Sequence, residues 1–300
     1  MPKDRQSIQA AMAHPLPFIK YVDPAFTAER TRTCELRIQL SSEELVLVVY
    51  NPLADQFLLI EKYPVANSYN RVKPHEAIAR ILQTHALTRL PFKKVEVIPV
   101  TNSWTLIPAD LYEESALRDM LALGSEIQLE DPVGADTLAG GSLKIAYSWP
   151  AVWKSIIENQ FEDARVRHYA GVLAGLLLRS NNRETILHAH VHGFQVDLLG
   201  LFEGKPVLFN SYYFQSPEDF LYYVVLAYDQ LGFNREMIPL QLMGEIEEGS
   251  AIYQICFKFI RTIQFMNRLG NSTVPEPEGE VAALADHGLV NILHPYDADY

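Results

Sequence analysis

Only two cysteines, Cys34 and Cys256, occur in 300 residues. That leaves no disulfide framework and no C-x-x-C motif, and a reducing cytoplasm fits. Positive charge is also scarce. With 25 Lys and Arg against 37 Asp and Glu, the formal net charge is −12, the wrong sign for a surface that neutralises phosphate, which argues against nucleic acid as a partner. No run approaches the roughly 18 apolar residues of a spanning helix. The opening MPKDRQSIQAAMAHPLPF lacks a continuous apolar stretch, so a signal peptide is not expected and the chain reads as soluble. Hydrophobic residues are plentiful at 48%, enough for a sizeable core in one large or two ordinary domains.

Residues 1–30 carry Pro15, Pro17 and Pro24 without periodicity and read as an arm laid over the body. Three β-rich runs follow, CELRIQLS, ELVLVVYN and QFLLIEKYPV, separated by turn residues as in an antiparallel meander. Pro74 then opens a helix, KKVEVIPV reads as a strand, and a second helix is expected over Pro108 to Leu123. Gly124 to Gly141 reads as loop, SLKIAYSW as a strand and AVWKSIIENQF as a helix. The order recurs in the second half. TILHAHVHGFQVDLLGLFEGKPVLFNSYYF is again a three-stranded meander, turning at Gly193 and at Glu203-Gly204. Ser216-Pro217-Glu218-Asp219 starts a helix, with Ser216 as N-cap, and Gly232 ends it. The strand IPLQLM and the helix AIYQICFKFIRTIQFM complete the repeat. Beyond them lies an acidic linker with Glu276, Glu278 and Glu280, and a final apolar run, Leu289 to Leu293, that would dock back as an edge strand.

Strand, strand, strand, helix, strand, helix, written twice, is the plan of two ribonuclease-H-like lobes, the α/β architecture of actin-like ATPases and sugar kinases. The expected division is an arm at 1–30, lobes at 31–160 and 161–270, and linker plus tail at 271–300. The stretches FNSYYFQSPEDFLYYVVLAYDQLGFN and PLQLMGEIEEGSAIYQICFKFIR, with SWTLIP and the first hairpin, resemble the bacterial family known as domain of unknown function 3822. That resemblance implies kinship with Bacteroidetes proteins and a divergent relation to the actin-like proteins that assemble type IV pili and type II secretion platforms.

The actin-like plan names three places where nucleotide would bind. The first hairpin resembles D-x-G-S/T in working ATPases, with Asp for the metal and its water. Here it reads Gln39-Leu40-Ser41-Ser42, so Mg²⁺ loses its anionic oxygen partner and Ser41 adds a side chain where backbone should approach phosphate. The second should resemble D-x-G-G-G-T-x-D. The overlay sets His190 at the first Asp, Gly193 among the glycines and Asp197 at the last Asp. The third, normally a G-G turn, reads Met243-Gly244-Glu245, and Glu245 brings bulk and negative charge toward an expected polyphosphate. The resemblance therefore implies a pseudo-ATPase: an actin-like scaffold or assembly factor that works through protein partners, without a cofactor. The alternative is a divergent ATPase or kinase binding ATP and Mg²⁺ through Ser41, Ser42, Gly193, Asp197 and Gly244. A ribonuclease-H-like nuclease lacks the first-strand carboxylate in both halves.

One local oddity stands apart from the resemblance. His188, His190 and His192 alternate on a strand, which sends all three imidazoles to one face about 7 Å apart. Such histidines can share zinc, a third reading, set against a polar strand face at the mouth of a cleft. Aromatic residues are dense over 212–228. On a helix Phe220, Val224 and Tyr228 share one face for the core, leaving Tyr222 and Tyr223 as candidates for a partner surface.

Overall fold

A computed structural model describes residues 16–66, 72–138, 140–180, 183–267, 288, 290 and 292–293. The first half runs β1 (Ile19–Val22), β2 (Glu35–Leu40), β3 (Glu44–Asn51), β4 (Gln56–Pro64), α1 (Pro74–Thr84) and β5 (Lys94–Pro99). Next come β6 (Trp104–Pro108), α2 (Leu117–Ala122), β7 (Val133–Thr137), β8 (Leu143–Ser148), α3 (Ala151–Glu158), β9 (Arg165–Val166) and α4 (Tyr169–Ser180). The second half runs β10 (Ile186–His192), β11 (Gln195–Phe202), β12 (Lys205–Tyr213), α5 (Pro217–Leu231), β13 (Leu240–Gly244), α6 (Ala251–Cys256) and β14 (Ile263–Phe265).

The two large sheets repeat one topology. The first is ordered β1-β4-β3-β2-β5-β9 and the second β12-β11-β10-β13-β14. In each, an antiparallel meander is followed by a strand that crosses over to pair in parallel beside the first: β5 beside β2, and β13 beside β10. A further parallel strand extends each sheet, β9 on β5 and β14 on β13. β6, β8 and β7 form a small separate sheet.

Local chemistry accounts for the element ends. Ser216 Oγ accepts the Asp219 N–H at 3.1 Å, Pro217 sits in the first turn, and Gly232 closes α5 at φ 66°, the left-handed backbone that glycine adopts without strain. The β11–β12 turn uses Glu203 (φ 50°) and Gly204 (φ 75°), as a two-residue hairpin requires.

Four segments depart from the sequence expectation. The helix over Pro108 to Leu123 is shorter: two 3₁₀ turns, at 109–111 and 114–116, precede α2, which packs Leu117 and Leu121 on Ile107 and Ala146. The Gly124 to Gly141 loop contains β7, a strand of low hydrophobicity that exists because β8 offers it a ladder from Val133 to Thr137. The last helix stops at Cys256, and Ile263–Phe265 becomes β14, since β13 presents an open parallel edge that a helix would leave unpaired. Phe257 and Phe259 are consequently exposed. Of the apolar run at 289–293, the described residues dock back, as expected, but in turns rather than an edge strand: Val290, Ile292 and Leu293 are buried in the first core, and Arg37 Nη1 donates to the Ile292 carbonyl at 3.1 Å. Leu289, residues 1–15 and the acidic linker lie outside the described residues. Part of the expected arm, Ile19–Val22, is an edge strand on β4. Among the described residues no helix is long and apolar enough to cross a membrane.

Two cores result. One unites the first sheet, α1 and α4 with Ile186, Leu199 and Leu201 of the second sheet. The other sets Leu187, Ala189, Val191, Val196 and Leu198 against Phe220, Val224 and Tyr228 of α5. β10 therefore separates two environments. Its odd-numbered residues face α5, and His188, His190 and His192 face the other way, toward the first core.

Candidate functional site: a cleft filled by its own side chains

A cleft of about 380 Å³ lies where the two meanders meet, lined by residues of the β2–β3 and β10–β11 hairpins together with Gly244 and Glu245. All three places named by the actin-like plan converge here. In each, one or more backbone N–H groups are already engaged. Ser41 Oγ accepts the N–H of Glu43 at 3.1 Å and of Glu44 at 2.9 Å, folding the first turn onto its own hydroxyl. In the second turn the Gly193 N–H (φ 56° at Gly193) donates to Glu245 Oε2 at 2.9 Å. In the third, the Glu245 N–H donates to Val191 O at 2.7 Å and the Ile246 N–H to Gly244 O at 3.0 Å.

Glu245 also reaches across the cleft. Lys62 on β4 places Nζ 3.0 Å from Glu245 Oε1 and 2.6 Å from Glu44 Oε2, so one ammonium ties the two halves together. Lys62 is 7% exposed. Burial disfavours its charge, but Glu44 and then Glu245 outweigh that and raise its pKa above the ordinary lysine value. Burial likewise works against the Glu245 carboxylate, yet the Gly193 N–H and Lys62 hold its pKa below the usual range. Gly244 is required sterically. At φ 86°, any Cβ there would overlap the Val191 carbonyl oxygen, because β13 runs tightly against β10.

Behind the turns sits Asp197, fully buried, directly opposite His190 in the β10–β11 register. Its Oδ1 accepts from Tyr169 Oη at 3.1 Å, from Gln195 Nε2 at 3.2 Å and from the Ser211 hydroxyl. Its Oδ2 faces His190 Nδ1 at 3.2 Å and His192 Nε2 at 3.1 Å. Burial alone would favour the protonated acid, but His192 and His190 hold the carboxyl far below the usual range. The two imidazoles respond in opposite directions. Burial lowers His190 despite Asp197, whereas at His192 the same carboxylate overrides burial and raises the pKa.

His190, His192 and Asp197 each offer a donor atom within 4.8 Å of the other two. His188 does not join them. It lies opposite Leu199 and beside Gln241, and burial pushes its pKa down to about 4 against the hydrogen bond to Gln241. Gln39 is buried on β2 and lines the cleft, as do Ser41 and Ser42. Tyr222 is 61% exposed on α5. Tyr223 instead stacks on Tyr212, with ring centroids 4.6 Å apart.

Several contributors were not singled out in the sequence: Lys62, Glu44, Tyr169, Gln195, Ser211 and His168. His168 is fully buried, stacks on Tyr147 and contacts Thr101 Oγ1 at 3.1 Å. Burial, only partly offset by Asp197, takes its pKa to about 3. A signal existed for Lys62, since a charged pair inside the apolar run QFLLIEKYPV demands partners if buried.

A family model described as protein of unknown function (DUF3822) matches residues 23–263. No curated protein matches the sequence. Among solved structures, a protein from Bacteroides thetaiotaomicron VPI-5482 described as having an actin-like ATPase fold and unknown function aligns with TM-score 0.74 at 20% identity, over 80% of this chain and 93% of that one. The PilM-PilN type IV pilus biogenesis complex aligns at TM-score 0.47 and 14% identity, over 79% of this chain and 89% of that one. Ethanolamine utilization protein EutJ from Carboxydothermus hydrogenoformans aligns at 0.43 and 10%, over 84% and 86%. The first alignment, with the repeated sheet topology, gives the fold as that of the actin-like ATPases.

Proposed function

The chain belongs to the DUF3822 family of proteins of unknown function, and from that premise we propose that it is a pseudo-ATPase, an actin-like body that acts through contacts with other proteins and not through nucleotide turnover. The observation that carries this reading is the Glu245 carboxylate. It accepts the Gly193 N–H and pairs with Lys62, filling with an internal anion the place where the fold would present backbone N–H to phosphate. The other turns agree with it, since Ser41 Oγ takes the N–H groups of Glu43 and Glu44 and Val191 O takes that of Glu245. Asp197 is already contacted by Tyr169, Gln195, Ser211 and the two imidazoles, so the water shell of Mg²⁺ would have to displace those partners.

The test is a thermal melt of tag-free protein with and without millimolar MgATP or MgADP. A nucleotide at about 100 times its Kd adds about 2.7 kcal/mol of apparent stability. The expected outcome is an unchanged melt with either nucleotide. A clear upward shift overturns the reading in favour of a divergent ATPase or kinase. Substituting Gly244 is unsuitable as a control because it disrupts the β10–β13 contact. The side chain to examine for partner contact is Tyr222, the exposed aromatic of α5.

A further inference from the structure

We propose that His190, His192 and Asp197 form a site for a borderline divalent transition metal of the zinc class, opening onto the cleft. This inference goes beyond the scaffold reading and does not depend on it.

The donor geometry is the first argument. Metal–ligand lengths of about 2.1 Å in a tetrahedron place neighbouring donor atoms about 3.4 Å apart. His190 Nδ1 and His192 Nε2 stand 3.2 Å and 3.1 Å from the same oxygen, Asp197 Oδ2, so a metal can enter between them with small side-chain adjustments. Both imidazoles approach through a ring nitrogen able to present a lone pair once its hydrogen is displaced.

The surroundings of the carboxylate are the second. Tyr169, Gln195 and Ser211 all hold Oδ1, the oxygen that the histidines do not contact. They fix the carboxylate so that Oδ2 alone faces the imidazoles, the arrangement in which outer hydrogen bonds orient a ligating group. Strand register supplies the rest. His190 is paired with Asp197, and His192 with Gln195, so three ligands and an orienting amide share one face of adjacent strands.

Access is the third. His190, His192 and Gln195 line the cleft, and the His192 side chain is 23% exposed, which leaves a coordination position for water or a partner group. Two nitrogens and one oxygen suit Zn²⁺ better than Mg²⁺, which prefers oxygen donors in an octahedron. The position that an actin-like ATPase uses for hard oxygen chemistry has here acquired nitrogen donors.

The experiment measures zinc in tag-free protein purified without chelator, then titrates the stripped protein with Zn²⁺ and with Co²⁺, whose visible absorption reports coordination number. Stoichiometric zinc and the strong visible bands of four-coordinate Co²⁺ are expected, with no competition from Mg²⁺. His192→Gln should abolish both signals, and Ser211→Ala should weaken affinity by about 10- to 100-fold through loss of an orienting hydrogen bond. His188→Gln should leave the site intact. If His192→Gln does not fold, Ser211→Ala still reads the site. Negligible zinc with no saturable Co²⁺ binding, meaning a hydrogen-bonded cluster only, overturns the proposal. So does loss of metal in His188→Gln equal to that in His192→Gln.

Discussion

Replacing Lys62 with methionine isolates the tie between the two halves. The wild-type ammonium lies 2.6 Å from Glu44 and 3.0 Å from Glu245 and is almost wholly buried. Methionine keeps most of the stem but leaves two carboxylates facing each other without a cation. Breaking a buried ion pair by removing one partner costs about 3 to 5 kcal/mol. Here the Glu245 side chain is 49% exposed, so water screens part of the loss and the lower end, about 3 kcal/mol, is expected. Glu245→Gln is the companion variant. Its amide oxygen can still accept the Gly193 N–H, and Lys62 retains Glu44, so the cost should be about 1 kcal/mol. The double variant removes repulsion as well as attraction and should recover about 1 kcal/mol relative to the sum of the singles. Urea unfolding can follow each half separately, because Trp104, Trp149 and Trp153 all lie in the first half whereas far-ultraviolet circular dichroism reports both. The wild type should show coincident transitions, and Lys62→Met should separate them. If Lys62→Met costs no more than Glu245→Gln and the probes stay coincident, the ion pairs do not couple the halves.

Three further outcomes are expected. Gly244→Ala should lower the melting temperature steeply or prevent soluble expression, since a Cβ there meets the Val191 backbone at a positive φ; an unchanged melt would show that β13 can draw away from β10. Asp136 titrates unusually high, at about 6, because burial outweighs nearby Arg167 and Arg165 and its bond from the His168 N–H, with Glu96 adding to the rise. The folded chain therefore keeps a proton between about pH 4 and 6 that the unfolded chain releases, so this group's contribution falls as pH rises through that window, by at most about 3 kcal/mol. Asp136→Asn should gain on the wild type by a comparable amount between pH 4 and 7 in urea melts, and a pH-independent difference would sink the assignment. Ile292→Ala, at a position with no exposure in the first core, should cost about 2 to 5 kcal/mol, and a cost indistinguishable from zero would mean that the docked run contributes nothing.

What could be read in the sequence followed from short-range chemistry. The two meanders, the Ser216 cap, the Gly232 terminus and the Glu203-Gly204 turn are all specified within a few residues, and the repeated order gave the fold. β7 and β14 escaped notice because each is a strand only by virtue of the neighbour it pairs with, β8 and β13. The site was half legible. Asp197 and the alternating histidines stand out as polar groups in apolar strands, and Glu245 as a charge in a turn. Their partners did not, because the contacts that matter join residues far apart: Lys62 meets Glu245 across 183 positions, and Tyr169 meets Asp197 from a different element. Histidine spacing alone grouped His188 with His190 and His192 and left out Asp197, since it carries no information about which residue of the adjacent strand stands opposite.

The docking of Val290, Ile292 and Leu293 against the first sheet has a consequence during synthesis. Arg37 on β2 waits for the Ile292 carbonyl, and the first core waits for three apolar side chains, Val290, Ile292 and Leu293, that are encoded long after β5. At translation speeds of about 5 to 20 residues per second, roughly ten to forty seconds pass between the emergence of β5 and that of Ile292. During that interval the nascent first half carries an unsealed apolar seam, open to chaperones or to a neighbouring nascent chain. Its final closure is timed by the ribosome's arrival at the codon for Ile292.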